Sequence, residues 1–223
     1  MRLVHGIGIN DADHRITVNE TIGGKLKQTW ICPYYSTWKG ILMRTKESFW
    51  LKNPTYHGCK INKDWLRFSN FETWLKEQPS HAEWLANPKD WAVDKDFVFP
   101  GNKTYSAETC CLLPRYVNNA LLDSSSIRGE YPLGVSYHKQ HKKLYSSIKI
   151  EGKQHFLGLH SDTKEAHKAW QVAKIDALKG ILTRYRKENH YDNRICLRLL
   201  DEIYLIEEDV KNARETKRFG RMA

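Results

Sequence analysis

Asp94 and Asp96 stand two residues apart in the run WAVDKDFVF, ahead of a Pro100-Gly101-Asn102 turn signal. Asn118 and Asn119 follow on a segment that Pro114 opens. With a strand's two-residue period the run places Asp94 and Asp96 on one face and Val93, Lys95 and Phe97 on the other. Like charges on one face repel, so the arrangement is costly unless the carboxylates share a cation or a proton. Carboxylate and carboxamide oxygens suit a hard divalent ion. The competing reading is structural: the same acids and amides cap turns and brace a hairpin against a helix.

The elements that must position these residues follow from local pattern. WAVDKDFVF reads as a strand, TCCLL as a second β-prone run, and Pro114 suits the first turn of a helix over Arg115 to Leu122. Upstream, Tyr35, Trp38, Leu42 and Thr45 recur at helical spacing, which predicts a helix over about 34–47 with Trp38 in the core. SNFETWLKEQPS pairs Ser69 with Glu72 as a capping box and stops at Pro79, and HAEWLANPKDW reads as a helical turn stopped by Pro88.

Composition bounds the rest. With 223 residues, 40% hydrophobic and 12% aromatic, the chain can bury a core and divide into two domains. No run of eighteen apolar residues occurs, and MRLVHGIGIN lacks a charged-then-apolar leader pattern, so the expectation is no membrane partner and a cytoplasmic location, that of the host cell if a phage encodes the chain. The five cysteines are odd in number and lack a C-x-x-C pair, which argues against a disulfide framework. A structural zinc ion held by Cys32, Cys59 and Cys110 is disfavoured against buried, reduced thiols.

The positive charge is concentrated. Residues 132–190 hold twelve Lys or Arg against five Asp or Glu, a surplus of seven within a whole-chain surplus of ten. Such a segment suits a polyanion. DSSSIRGEYP, at 123–132, has the composition of a linker, and after it three short strands are predicted at about 134–139, 143–150 and 153–159, the last two joined by Glu151-Gly152. On the middle strand Leu144, Ser146, Ile148 and Ile150 share one face, and Tyr145, Ser147 and Lys149 the other. A helix capped by Asp162 and Glu165 then offers Ala166, Ala169, Ala173 and Ala177 to the sheet. A final helix, about 193–217, carries Ile195, Leu199, Ile203, Ile206 and Val210 on one side, for an internal partner, a second copy in a homodimer, or a host protein.

Two stretches carry a family likeness. GVSYHKQHKKLYSSIKIEGKQHFLGLHSDTKEAHKAWQVAKIDALKG resembles the apetala/ethylene-response-factor DNA-binding domain, in which a three-stranded sheet enters the major groove and a helix backs it. The likeness implies duplex DNA as partner and a reading face of Ser136, His138, Tyr145, Ser147, Lys149, Gln154 and Phe156, with Lys142, Lys143 and Lys153 at the phosphates. The arginines and tryptophans that crowd this face in plant relatives are missing here. GIGINDAD, the run from YSTWKGILMR to SNFETW, and the DKD segment through Asn118 are similar to phage HNH endonucleases.

That second likeness implies a ββα-metal site in which Asp96 and Asn118 hold magnesium or another divalent ion, Asp94 adds a ligand or orients water, and Asn102 and Lys103 hold a phosphate. The family's histidine, its general base, is replaced by Lys95. Three accounts of that replacement stay open: an aspartate acts as base, His57 or His81 supplies an imidazole, or the site does not cut and the scaffold serves as a DNA- or protein-binding effector. The expected fold class is α+β, with an HNH-like nuclease domain at 1–122, a linker at 123–131, a DNA-binding domain at 132–190 and a C-terminal helix at 191–223.

Overall fold

A computed structural model describes residues 3–122, 129–188 and 190–217. It is mixed α+β and divides into two units, residues 1–113 and 114–223. The division falls ahead of the linker expected at 123–131, of which 123–128 lie outside the described residues.

The first unit is built around aromatic side chains rather than a large sheet. Helix α1 (Pro33–Arg44) starts on a proline and buries Trp38, Ile41 and Leu42. It ends at Arg44, short of the predicted residue 47, and a separate turn of helix, α2 (Glu47–Trp50), follows. Helix α3 (Phe68–Lys76) buries Phe68, Phe71, Trp74 and Leu75, and α4 (His81–Ala86) buries Trp84. The Trp38 indole N–H donates to the Trp65 carbonyl at 2.7 Å, so the largest core side chain leaves no polar atom unmatched. Gly8 makes this packing feasible: a Cβ there would sit 2.4 Å from Leu42 and 2.8 Å from Trp38.

The capping box expected at Ser69 and Glu72 is not what starts α3. Asp11, from the GIGINDAD segment, accepts the Ser69 backbone N–H at 2.9 Å and its hydroxyl at 2.8 Å, and Arg67 adds a contact at 3.3 Å. Burial raises the Asp11 carboxyl, yet these donors outweigh it and hold it below the usual carboxylate range. Glu72 turns instead to Lys76, at 3.2 Å, and His14, at 3.6 Å. A distant carboxylate thus does a local residue's work.

Three two-stranded pairings complete this unit. Strands β1 (Thr17–Ile22) and β2 (Lys25–Ile31) form an antiparallel ribbon turned at Gly23-Gly24. The short β3 (Lys60–Ile61) lies parallel to β5 (Thr104–Tyr105), and β4 (Trp91–Asp94) pairs with β6 (Cys111–Pro114). All five cysteines of the chain are buried thiols.

The second unit opens with α5 (Arg115–Ala120) and is organised by a three-stranded antiparallel sheet, β7 (Val135–His138), β8 (Lys143–Ile150) and β9 (Lys153–His160), in sequence order. Glu151 and Gly152, both at positive φ, make the two-residue turn between β8 and β9. Helix α6 (Thr163–Arg186) backs the sheet; Asp162 caps it by accepting the Lys164 N–H at 3.1 Å. Leu144, Ser146 and Ile148 are buried toward this helix, and the Ser146 hydroxyl donates to the Ala166 carbonyl at 2.8 Å. Gly134, at φ +75°, lies so close to the Trp170 ring that a Cβ would come within 1.9 Å of it.

Helix α7 (Asn193–Lys211) packs Ile195, Leu199, Ile203 and Ile206 into the unit. It stops at Lys211, before the predicted residue 217, because Ala213 takes a left-handed φ of 51° and the Arg214 N–H returns to the Asp209 carbonyl at 2.8 Å. The tail is then clamped. Thr216 donates its N–H to His167 Nε2 at 3.0 Å and its hydroxyl to buried Asp209 at 2.9 Å, while His167 Nδ1 donates to the Leu133 carbonyl at 2.9 Å. One bare and one protonated ring nitrogen are required, so His167 is neutral in this arrangement. No helix among the described residues is long and apolar enough to cross a membrane.

Candidate functional site

The acidic stretch does not continue as a strand. β4 ends at Asp94 because the Asp94 carboxylate accepts the backbone N–H groups of Asp96, at 2.9 Å, and Phe97, at 2.7 Å. This side-chain-to-backbone capture replaces ladder hydrogen bonds with a turn, so Asp94 and Asp96 do not share a strand face as the alternation predicted. They are close nonetheless. Burial first, then the charge of Asp96, pushes the Asp94 carboxyl up to about 6.

Lys95 is buried at 5% exposure, with its ammonium 3.0 Å from Asp96 Oδ2 and 5.6 Å from the centre of the Tyr105 ring. Arg44 lies near enough to the Tyr105 hydroxyl and to Asp94 for each to favour its charged form. Burial drives the Tyr105 phenol far above its ordinary range. The result is a half-buried cluster of two acids, two bases and a phenol. Sequence pattern missed Arg44 and Tyr105, because the first sits on a helix fifty residues upstream and the second on a two-residue strand.

Asn102 is committed to its own loop. Its amide donates to the carbonyls of Lys95, at 2.7 Å, and Thr104, at 2.8 Å, and its carbonyl oxygen accepts the Thr104 N–H at 3.1 Å. Lys103 is exposed and donates to the Thr55 carbonyl at 2.9 Å, while the Lys60 N–H donates to the Lys103 carbonyl at 2.8 Å. These bonds bring the loop carrying His57 beside the turn; His57 itself packs on Trp50 with ring centroids 5.3 Å apart. His81 is engaged elsewhere, its Nε2 2.6 Å from the Tyr34 hydroxyl. Asn118 lies half-buried on α5 in the second unit, so the ligand pair Asp96 and Asn118 is divided between the two units. Among the described residues no group of three or more His, Cys, Asp or Glu is gathered as a metal site.

The sheet face is the opposite case. Register puts Ser136 beside Tyr145, Ser147 beside Phe156 and Lys149 beside Gln154, which gathers six of the seven expected reading residues on one side of the sheet. His138, paired with Lys143, joins them by alternation. Tyr145 and Phe156 stack at 5.5 Å and 24°, and Gln154 donates to the Ser147 hydroxyl at 2.7 Å. Phe156 is 61% exposed, a large apolar area to leave in water. Lys142 and Lys143 sit at the β7–β8 turn and are exposed; Lys153, also exposed, lies at the β8–β9 turn opposite Ile150, on the helix side by alternation. Leu159, opposite Tyr145, adds an apolar contact that the sequence reading did not single out.

Comparison with family models, with curated proteins and with solved structures returns no match.

Proposed function

We propose that this chain binds duplex DNA through the exposed face of β7, β8 and β9 and hydrolyses its phosphodiester bonds near Asp94 and Asp96, the activity of a phage-type HNH endonuclease. The observation that carries the reading is the sheet face: a stacked Tyr145–Phe156 pair, hydrogen-bonding side chains and Lys149 on one surface, in a segment with a surplus of seven positive charges. Neutralised phosphates supply affinity, and the ring pair and amide meet base edges.

A divalent ion fits the acidic cluster in one respect: it would relieve the repulsion that raises Asp94, and the donors available are carboxylate oxygens. Asp96 would hold it, with Asp94 as a further ligand. Such an ion polarises a phosphodiester and stabilises the leaving oxygen. The chain's own residues do the rest. Lys95 holds the Asp96 carboxylate in place, and an aspartate carboxylate is the base the cluster offers. The lysine at position 103 is exposed beside the turn, where a phosphate could approach.

A second reading has its own support. Asp94 is spent on two backbone N–H groups and Asp96 on Lys95, so the protein can hold DNA on this scaffold without cutting it. A magnesium-dependent nicking assay on supercoiled DNA, with Asp96→Ala beside the unaltered chain, separates the two. Cleavage lost in the variant, with binding kept, supports the endonuclease. Tight, salt-sensitive binding without cleavage under magnesium or manganese supports the second reading.

A further inference from the structure

The β1–β2 ribbon is unlike any other part of its unit: every residue from Asn19 to Trp30 is exposed. A two-stranded ribbon without a covering layer is marginal in water, so its persistence at fifteen residues calls for a partner. The two faces differ. Cross-strand pairing puts Asn19 and Thr21 with Gln28 and Leu26 on one side, which bears no charge. Val18, Glu20 and Ile22 lie on the other with Trp30, Lys27 and Lys25, and Thr29 is the extra residue at the register shift. Glu20 stands opposite Lys27, which leaves Lys25 near the tip, and Arg15 before the base, as positive charges without a facing acid in the ribbon.

Carboxamides at the centre of the uncharged face argue against a protein-docking surface, whose core is apolar. They suit base edges instead: Asn and Gln make paired hydrogen bonds to adenine in the major groove, and that groove is wide enough to admit a two-stranded β-ribbon without deformation. We infer that the β1–β2 ribbon is a second DNA-reading element, seated in a major groove with Asn19 and Gln28 toward the bases, Leu26 and Thr21 against thymine methyls, and Lys25 reaching a phosphate. The inference rests on the duplex-binding reading and extends it to the other unit.

The test uses the full chain. The photo-crosslinking residue p-benzoylphenylalanine is placed at Gln28 in one protein and at Tyr145 in another, and each is irradiated with duplex DNA. Crosslinks to DNA from both positions are expected, and Asn19→Ala/Gln28→Ala should weaken duplex binding about tenfold or more. Crosslinks from position 145 alone, or from position 28 to a second copy of the protein, overturn the ribbon's role while sparing the sheet. No DNA crosslink from either position overturns both. Unchanged affinity in the double variant also counts against the inference, since both residues are exposed and neither holds the core.

Discussion

The loop between Asp94 and Tyr105 and the face of β7–β9 are both rich in polar side chains, yet they use them in opposite ways. In the loop, Asp94 and Asn102 together meet five backbone groups, and Lys95 is turned inward onto Asp96. On the sheet the backbone is satisfied by the strand ladder, which leaves Ser136, Lys149 and Phe156 free to face solvent. A residue type alone therefore does not identify a site. What distinguishes a surface that meets a ligand from one that builds a turn is whether the chain has already consumed its hydrogen-bonding capacity.

That contrast can be broken by experiment. The largest effect is expected in the aromatic core that carries the acidic loop: Trp38→Ala should cost about 3–5 kcal/mol in urea unfolding of the first unit, and DNA binding through the sheet should survive it. Loss of both together would mean the units do not act separately. Asp94→Ala should cost about 1–3 kcal/mol, because two part-buried N–H groups lose their acceptor; Asp94→Asn, which keeps an acceptor, should cost less.

The pH dependence sharpens the same point. A carboxyl raised to about 6 in the folded chain binds its proton more tightly there than in the unfolded one, so its contribution to stability is present at low pH and lost as pH rises through about 6. The midpoint of urea unfolding should accordingly fall between about pH 4 and pH 7, and Asp94→Asn should flatten that slope. An unchanged slope in the variant would assign the effect to another group.

On the sheet the effects should be on binding and not on folding. Tyr145→Ala with Phe156→Ala should weaken duplex binding by about 1–3 kcal/mol in a fluorescence titration, with an unfolding midpoint close to the original. The smallest effect is expected for Lys149→Ala, which should reduce the slope of log affinity against log salt by about one. A salt slope near zero for the unaltered chain would remove the phosphate contacts from the account altogether.

The sequence reading succeeded where structure is dictated by neighbours. Strand periodicity over residues 143–150, the Glu151-Gly152 turn and the Asp162 cap are local signals, and each element lies within a residue or two of its expected place. It failed where distant residues intervene. Asp11 caps a helix fifty-eight residues away, and β3 meets β5 across forty-four positions through two residues each. The break after Asp94 was hidden because WAVDKDFVF alternates well; only the side chain's reach to two backbone amides ends the strand. The β1–β2 ribbon had a signal that went unused, a Gly-Gly pair between two β-prone runs. Of the candidate site, the sheet face was readable by alternation, whereas Arg44 and Tyr105 could be found only in three dimensions.

The neutral His167 ring joins Leu133, where the sheet begins, to Thr216, where the chain leaves α7. Entry and exit of this portion are thus separated by the width of one imidazole and two hydrogen bonds. A short peptide could bridge them, so the stretch from Leu133 to Thr216 is suited to circular permutation and to insertion as a cassette into a loop of an unrelated host.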